Sequence, residues 1–322
     1  MTTTEIDVSV VIPTRSRWHL LSRAALPAAL AQHGVRHEVI VVGGSTDETP
    51  QRLDELEDAR VVVIRHDSSR GVARARNAGS AAARGRWVSF LDDDVWAPGK
   101  LEAQLDAADR ARAVLAYAAG AELNANRMYL FAVAPPDPNT LTRELLHWNV
   151  IWCGCSNVVA RTDLVRQLGG FDEQLFQLAD WDLRIRLALA GRAAVAHDVL
   201  VGYVMRDESM LLTDRRDVFL ELDYLAAKHR AAHEAHGVEL DHALLAVGRS
   251  RPQGSRDAPA RRRAPPPWRS PPRRPGAALR AFAAVMPEAL FKLGSRLATN
   301  DRRFPQQKLS LPEPDWIERL QP

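Results

Sequence analysis

Short unbroken apolar runs alternate with amphipathic stretches through the first hundred residues. Val8-Ser9-Val10-Val11-Ile12 predicts a buried strand stopped by Pro13. Leu20, Leu21, Ala24 and Ala28 recur at helical spacing and predict a helix over 17–32. Pro27 should kink it, because its ring nitrogen cannot donate to the preceding turn. Further strands are predicted over 39–42, closed by Gly43-Gly44, over 61–64, and over 87–91, ending in Asp92-Asp93-Asp94. Helices are predicted over 48–56 and 72–83, with another beginning at Pro98.

Continuous apolar strands separated by helices imply an α/β fold: a mostly parallel sheet flanked by helices on both faces. Such sheets bind ligands beyond the carboxyl ends of their strands. The polar loops at 13–17, 43–47 and 92–94 all follow strand ends, so the pattern gathers them on one edge. Residues 113–210 are less regular. Strands are predicted over 113–118 and 155–160, with a loop at Pro135-Pro136-Asp137-Pro138. Helices are predicted over 161–168, 180–190 and, with mixed charge, 213–236.

The 322 residues are 46% apolar, enough for a substantial core. Two cysteines exclude a disulfide scaffold and a four-cysteine zinc module. Cys153-Gly154-Cys155 is read as two buried thiols. The net charge of +3 is uneven: residues 249–276 hold nine Arg, eight Pro and one acid, which leaves the rest of the chain at −5. Nucleic acid is therefore not an expected partner of the folded body. The Arg/Pro segment is read as a disordered linker, with contact to anionic lipid or nucleic acid as its alternative. The expected organisation is a catalytic domain over 1–236, a linker over 237–276, and a C-terminal amphipathic helix and tail over 277–322. No apolar run reaches 18 residues, and the first residues lack the pattern of a signal peptide. A cytoplasmic location is expected, with the helix over 277–298 a candidate for peripheral contact at the inner membrane face.

Three adjacent aspartates after a buried strand repel one another, and like charges raise each other's pKa. A divalent cation removes that conflict, and hard oxygen ligands suit Mn²⁺ or Mg²⁺. Asp92 and Asp94 are two apart and point the same way on an extended strand end. A helix cap is the plainer reading, but a cap needs one Asp. Asp180-Trp181-Asp182 opens a predicted helix, where Asp180 is either a cap or a base.

The residues that carry a resemblance lie in order along the chain. They are Val10-Val11-Ile12-Pro13-Thr14, Glu38-Val39-Ile40-Val41-Val42, Gly44-Ser45-Thr46-Asp47, Ala75-Arg76-Asn77-Ala78-Gly79, Phe90-Leu91-Asp92-Asp93-Asp94, Pro98-Gly99-Lys100-Leu101, Gly169-Gly170-Phe171-Asp172 and Asp180-Trp181-Asp182-Leu183. The chain thereby resembles the family 2 glycosyltransferases over about 6–230. The resemblance implies a GT-A fold and inverting transfer from a nucleotide-sugar, most commonly a UDP-sugar, to an acceptor hydroxyl. The acceptor is open: a saccharide, a lipid-linked species or a small molecule. Pro13, Thr14 and Arg15 fall in the first nucleotide loop. Arg76 and Asn77 match the helix that approaches base and phosphates. Asp92 and Asp94 match the pair that holds metal and sugar nucleotide, with Asp93 between them. Asp180 matches the general base. Gly170 and Asp172 fall on the acceptor side, where Trp181 would line a sugar surface or else pack in the core.

Three positions depart from the family pattern. The second-strand loop reads Gly43-Gly44-Ser45 and lacks the usual acid. Ala179 precedes the base where Glu is common. Arg206 stands where relatives carry a metal-binding His; it cannot ligate a metal but can bind a diphosphate. These departures keep two rivals open: a catalytically weak nucleotide-binding relative, and a basic adaptor acting through 249–276.

Overall fold

The structure is a computed structural model that describes residues 5–44, 46–68, 71–205, 218–240, 308–309 and 313–319. Ser45, Arg206, the Arg/Pro segment 249–276 and the expected helix over 277–298 lie outside the described residues. Residues 1–239 together with 306–322 form one unit.

Its centre is a parallel half-sheet. Strand β1 (Val8–Thr14) pairs in parallel with β2 (His37–Gly43) on one side and β4 (Trp87–Phe90) on the other, and β2 pairs with β3 (Val61–Arg65). The chain therefore winds outward from β1 to β3, then returns across β1 to β4. Neighbouring connections diverge at the β1–β4 boundary, which opens a crevice at the carboxyl ends.

The second half is mixed. Strand β8 (Val159–Arg161) pairs antiparallel with β4 and with β6 (Leu115–Leu123). Strand β7 (Tyr129–Val133) is antiparallel to β6, β9 (Ala193–Val204) is parallel to it, and β5 (Val95–Trp96) pairs with β9. The sheet order β10-β7-β6-β8-β4-β1-β2-β3 ends on a two-residue edge strand, β10 (Lys308–Leu309).

Helix α4 (Val72–Ala82) covers β1 and β2, while α5 (Lys100–Ala111) covers β6 and β9. Val8, Val10, Ile12, Val39 and Val41 pack with Leu21, Leu26, Leu101 and Trp96 in one buried cluster. Each such side chain contributes about 1.5–3 kcal/mol on burial. The expected helix over 17–32 is real but broken: α1 (Trp18–Leu20) passes through a π-helical turn, Leu21–Ala25, into α2 (Leu26–Leu30). Pro27 sits at the start of α2, where its missing donor costs little.

One further expectation is corrected. Strand β1 does not stop at Pro13 but runs through Thr14. Within the tail, the described residues 308–309 and 313–319 lie against the body. Lys308 and Leu309 pair with Val133 and Ala132, and Ile317 is fully buried in the short helix α11 (Asp315–Glu318). Trp316 Nε1 donates to the Val199 carbonyl at 2.9 Å. No helix among the described residues is long and apolar enough to cross a membrane.

Candidate active site

The carboxyl ends of β1 and β4 lie side by side, so the loop after Thr14 meets the loop after Phe90. Arg17 Nη1 donates to Asp93 Oδ2 at 2.6 Å and ties the two loops together. From α4, Arg76 Nη2 reaches both oxygens of Asp92, at 2.7 and 2.6 Å. The Arg76 guanidinium also lies over the Phe171 ring, 5.2 Å from its centroid. Burial opposes the charge on Arg76, but Asp92 outweighs it and raises the pKa.

Asp94 differs from its two neighbours. It is 6% exposed, and among the described residues it has no basic partner. Ser156 Oγ donates to its Oδ2 at 2.5 Å, and the Val204 N–H approaches its Oδ1 at 3.4 Å. Burial, then the charges of Asp92 and Asp93, push its pKa up to about 7 despite those two bonds.

Asp92 and Asp94 offer the hard oxygens that Mn²⁺ and Mg²⁺ take. No group of three or more His, Cys, Asp or Glu side chains able to hold a metal forms among the described residues. One or two carboxylates completed by substrate phosphates is a usual arrangement for Mg²⁺. The residues therefore fit a divalent cation that arrives with a diphosphate.

Asp180 stands across the crevice, in the first turn of α8 (Ala179–Ala190). Its Oδ1 accepts the Trp181 N–H at 2.7 Å, and its Oδ2 is ion-paired with Arg184. Arg184 is itself buried and donates to the Ile151 carbonyl at 2.9 Å. Asp180 borders a small gap with Phe90, Cys155 and Phe171. Cys155 and Cys153 are buried free thiols, and burial pushes both pKa values up.

The remaining sequence candidates fall into place unevenly. Pro13 and Thr14 lie at the end of β1, half-buried, and Arg15 is exposed. Asn77 is engaged by Phe171: its Nδ2 donates to the Phe171 carbonyl at 2.9 Å, and its Oδ1 accepts the Phe171 N–H at 2.7 Å. Gly170 is required there. Its φ is +69°, and a Cβ would stand 2.4 Å from Asn77 Oδ1. Asp172 accepts from Tyr224 Oη at 2.8 Å and from Lys228 Nζ at 2.6 Å, both in α9 (Val218–Lys228). Asn77, Gly170, Asp172 and Lys228 border an open cleft of about 370 Å³. Trp181 lines no surface. It is fully buried, donates to the Leu145 carbonyl at 2.7 Å and meets Trp148 edge-on, so of its two readings the core one holds.

Sequence reasoning did not find Arg17, Arg184 or Ser156. Arg184 sits one turn after Asp180, a spacing that signals a pair. Ser156 carries no such signal.

Residues 9–169 match the profile described as "Glycosyl transferase family 2". The chain is 33% identical over 233 residues to the succinoglycan biosynthesis protein ExoO of Rhizobium meliloti, covering 67% of each. This chain belongs to glycosyltransferase family 2. It is also 34% identical over 100 residues to WfgD of Escherichia coli, a UDP-Glc:alpha-D-GlcNAc-diphosphoundecaprenol beta-1,3-glucosyltransferase. That match covers 30% of this chain and 39% of WfgD. Among solved structures, S. aureus TarS 1-349 in complex with UDP-GlcNAc superposes with a TM-score of 0.58 at 19% identity. The superposition covers 75% of this chain and 70% of TarS and identifies the fold as GT-A. The protein is a glycosyltransferase acting on nucleotide sugars.

Proposed function

We propose that this glycosyltransferase moves a sugar from a UDP-sugar to an acceptor hydroxyl with inversion at the anomeric carbon, assisted by Mn²⁺ or Mg²⁺. The observation that carries this reading is Asp94: a buried carboxylate at the crevice with no counter-charge among the described residues. Burying an unpaired charge is costly, and such groups are usually paired or bind a metal. When bound, the divalent cation supplies Lewis-acid stabilisation of the leaving diphosphate.

The chain's own residues do the rest. Pro13, Thr14 and Arg15 form the nucleotide loop, with Asp92 near the ribose and Arg76 holding Asp92 in place. Asp93, anchored by Arg17, closes the same loop. Arg206 contributes a cation to the diphosphate. Arg184 and the Trp181 N–H orient the Asp180 carboxylate. Asp180 takes the proton of the acceptor hydroxyl, whose oxygen bonds to the anomeric carbon as the bond to the diphosphate breaks. The electron pair leaves with the nucleotide. Attack from the face opposite the leaving group inverts the centre. The name of WfgD, whose acceptor is a GlcNAc-diphosphoundecaprenol, supports a saccharide carried on a lipid diphosphate as the acceptor here.

Asp180→Asn tests the base. Transfer should fall about 10²–10⁴-fold, with UDP affinity unchanged by calorimetry. Transfer within a few-fold of the parent would remove Asp180 from that role.

A further inference from the structure

Four residues after the left-handed Cys153 form a turn that touches both halves of the crevice. Cys153 has φ +63° and Gly154 φ +52°, and the 3₁₀ turn Gly154–Asn157 follows. At its start, a Cβ on Gly154 would stand 3.2 Å from Asp180 Oδ2. Two residues later, the fully buried Ser156 meets the strand-end carboxylates.

The hydroxyl of Ser156 has one proton to give. Its oxygen accepts the Asp92 N–H at 3.2 Å, so the proton is directed to Asp94 Oδ2 at 2.5 Å. This couples the backbone of one carboxylate residue to the side chain of the other. It also occupies one oxygen of Asp94 and leaves Oδ1, among the described residues, with a single long contact to the Val204 N–H.

The turn itself is held from beneath. Trp96 Nε1 donates to the Ser156 carbonyl at 2.8 Å. Asn157 accepts the Ala118 N–H and donates to the Ala118 carbonyl, each at 2.8 Å, and Gln104 donates to the Asn157 carbonyl at 2.7 Å. Every one of these groups is buried. A hydroxyl fixed this firmly has no freedom to serve as a loose surface donor.

We propose that Ser156 is a positioning residue of the donor site, fixing the rotamer in which the Asp94 carboxylate would hold a divalent cation. The inference rests on the reading of Asp94 as a metal ligand. Partners that orient a ligating carboxylate commonly carry 10–100-fold in metal affinity.

The test is Mn²⁺ affinity, read by the loss of free-ion electron paramagnetic resonance signal with UDP present. The full chain is compared with Asp94→Ala, Ser156→Ala and Trp96→Phe. Asp94→Ala should abolish Mn²⁺ binding, and Ser156→Ala should weaken it 10–100-fold. Trp96→Phe loosens the turn without touching Asp94 and should weaken binding two- to five-fold, which keeps the test decisive if Ser156→Ala fails to fold. Affinity within two-fold of the parent in Ser156→Ala, or in Trp96→Phe where that variant stands in, while Asp94→Ala abolishes binding, overturns the role of Ser156 alone. Unchanged Mn²⁺ binding in Asp94→Ala overturns the metal reading, and the inference falls with it.

Discussion

Asp182 shows how a buried carboxylate is stabilised by the cations around it. It is fully buried, and burial alone would raise its pKa. His229, Arg186 and Lys228 surround it and hold it down to about 2. A folded-state pKa below the ordinary 3.8 means stability present above that value and lost as pH falls through about 2. Asp182→Asn should therefore cost about 3–5 kcal/mol near neutrality, as expected when a buried ion pair loses one partner. It should also flatten the stability profile between pH 4 and 2, which urea unfolding across that range would reveal. Gly170→Ala meets a second residue-scale limit, since it strains a positive φ and strikes Asn77 Oδ1. A loss of about 1–3 kcal/mol is expected in thermal unfolding. Single residues were the least legible level of the sequence. Asp92, Asp94 and Asp180 stood out because carboxylates cluster at predicted element ends. Ser156 did not, because its role depends on a turn 62 residues beyond Asp94 in the chain.

At the scale of elements, the parallel half was readable because β1, β2 and β4 are buried on both faces and so appear as continuous apolar runs. Strand β9 escaped because the exposed His197-Asp198 pair interrupts it. The register with β6 jumps there from Ala196 to Val199. Strand β7 alternates half-buried Tyr129 and Phe131 with exposed Leu130, a pattern too short to stand out. Helix α6 (Leu141–His147) follows the proline-rich loop and was not predicted. The docking of α11 was illegible because its contact, the Val95–Ala119–Leu123–Val199 cluster, comes from strands far back in the chain. Ile317→Ala should lower stability by about 2–5 kcal/mol, the usual cost of truncating a buried Ile. An unchanged melting temperature would mean that α11 contributes nothing to the body.

At the scale of the molecule, charge and catalysis separate. The basic excess belongs to 249–276, and the crevice is built from residues of the body, whose balance is acidic. A chain lacking 249–276 should therefore bind UDP within two-fold of the full chain. Lost UDP binding would tie the segment to the donor site. On the proposed mechanism, Asp94 makes the crevice a metal-assisted nucleotide site. The most direct test of that role is the melting temperature with UDP, GDP, dTDP or CDP, each with and without Mn²⁺, in the parent chain and in Asp94→Ala. A Mn²⁺-dependent rise is expected for UDP, equivalent to about 2.7 kcal/mol at a hundred times Kd, with its loss in Asp94→Ala. No rise with any nucleotide, or a Mn²⁺-dependent rise that survives Asp94→Ala, would contradict it.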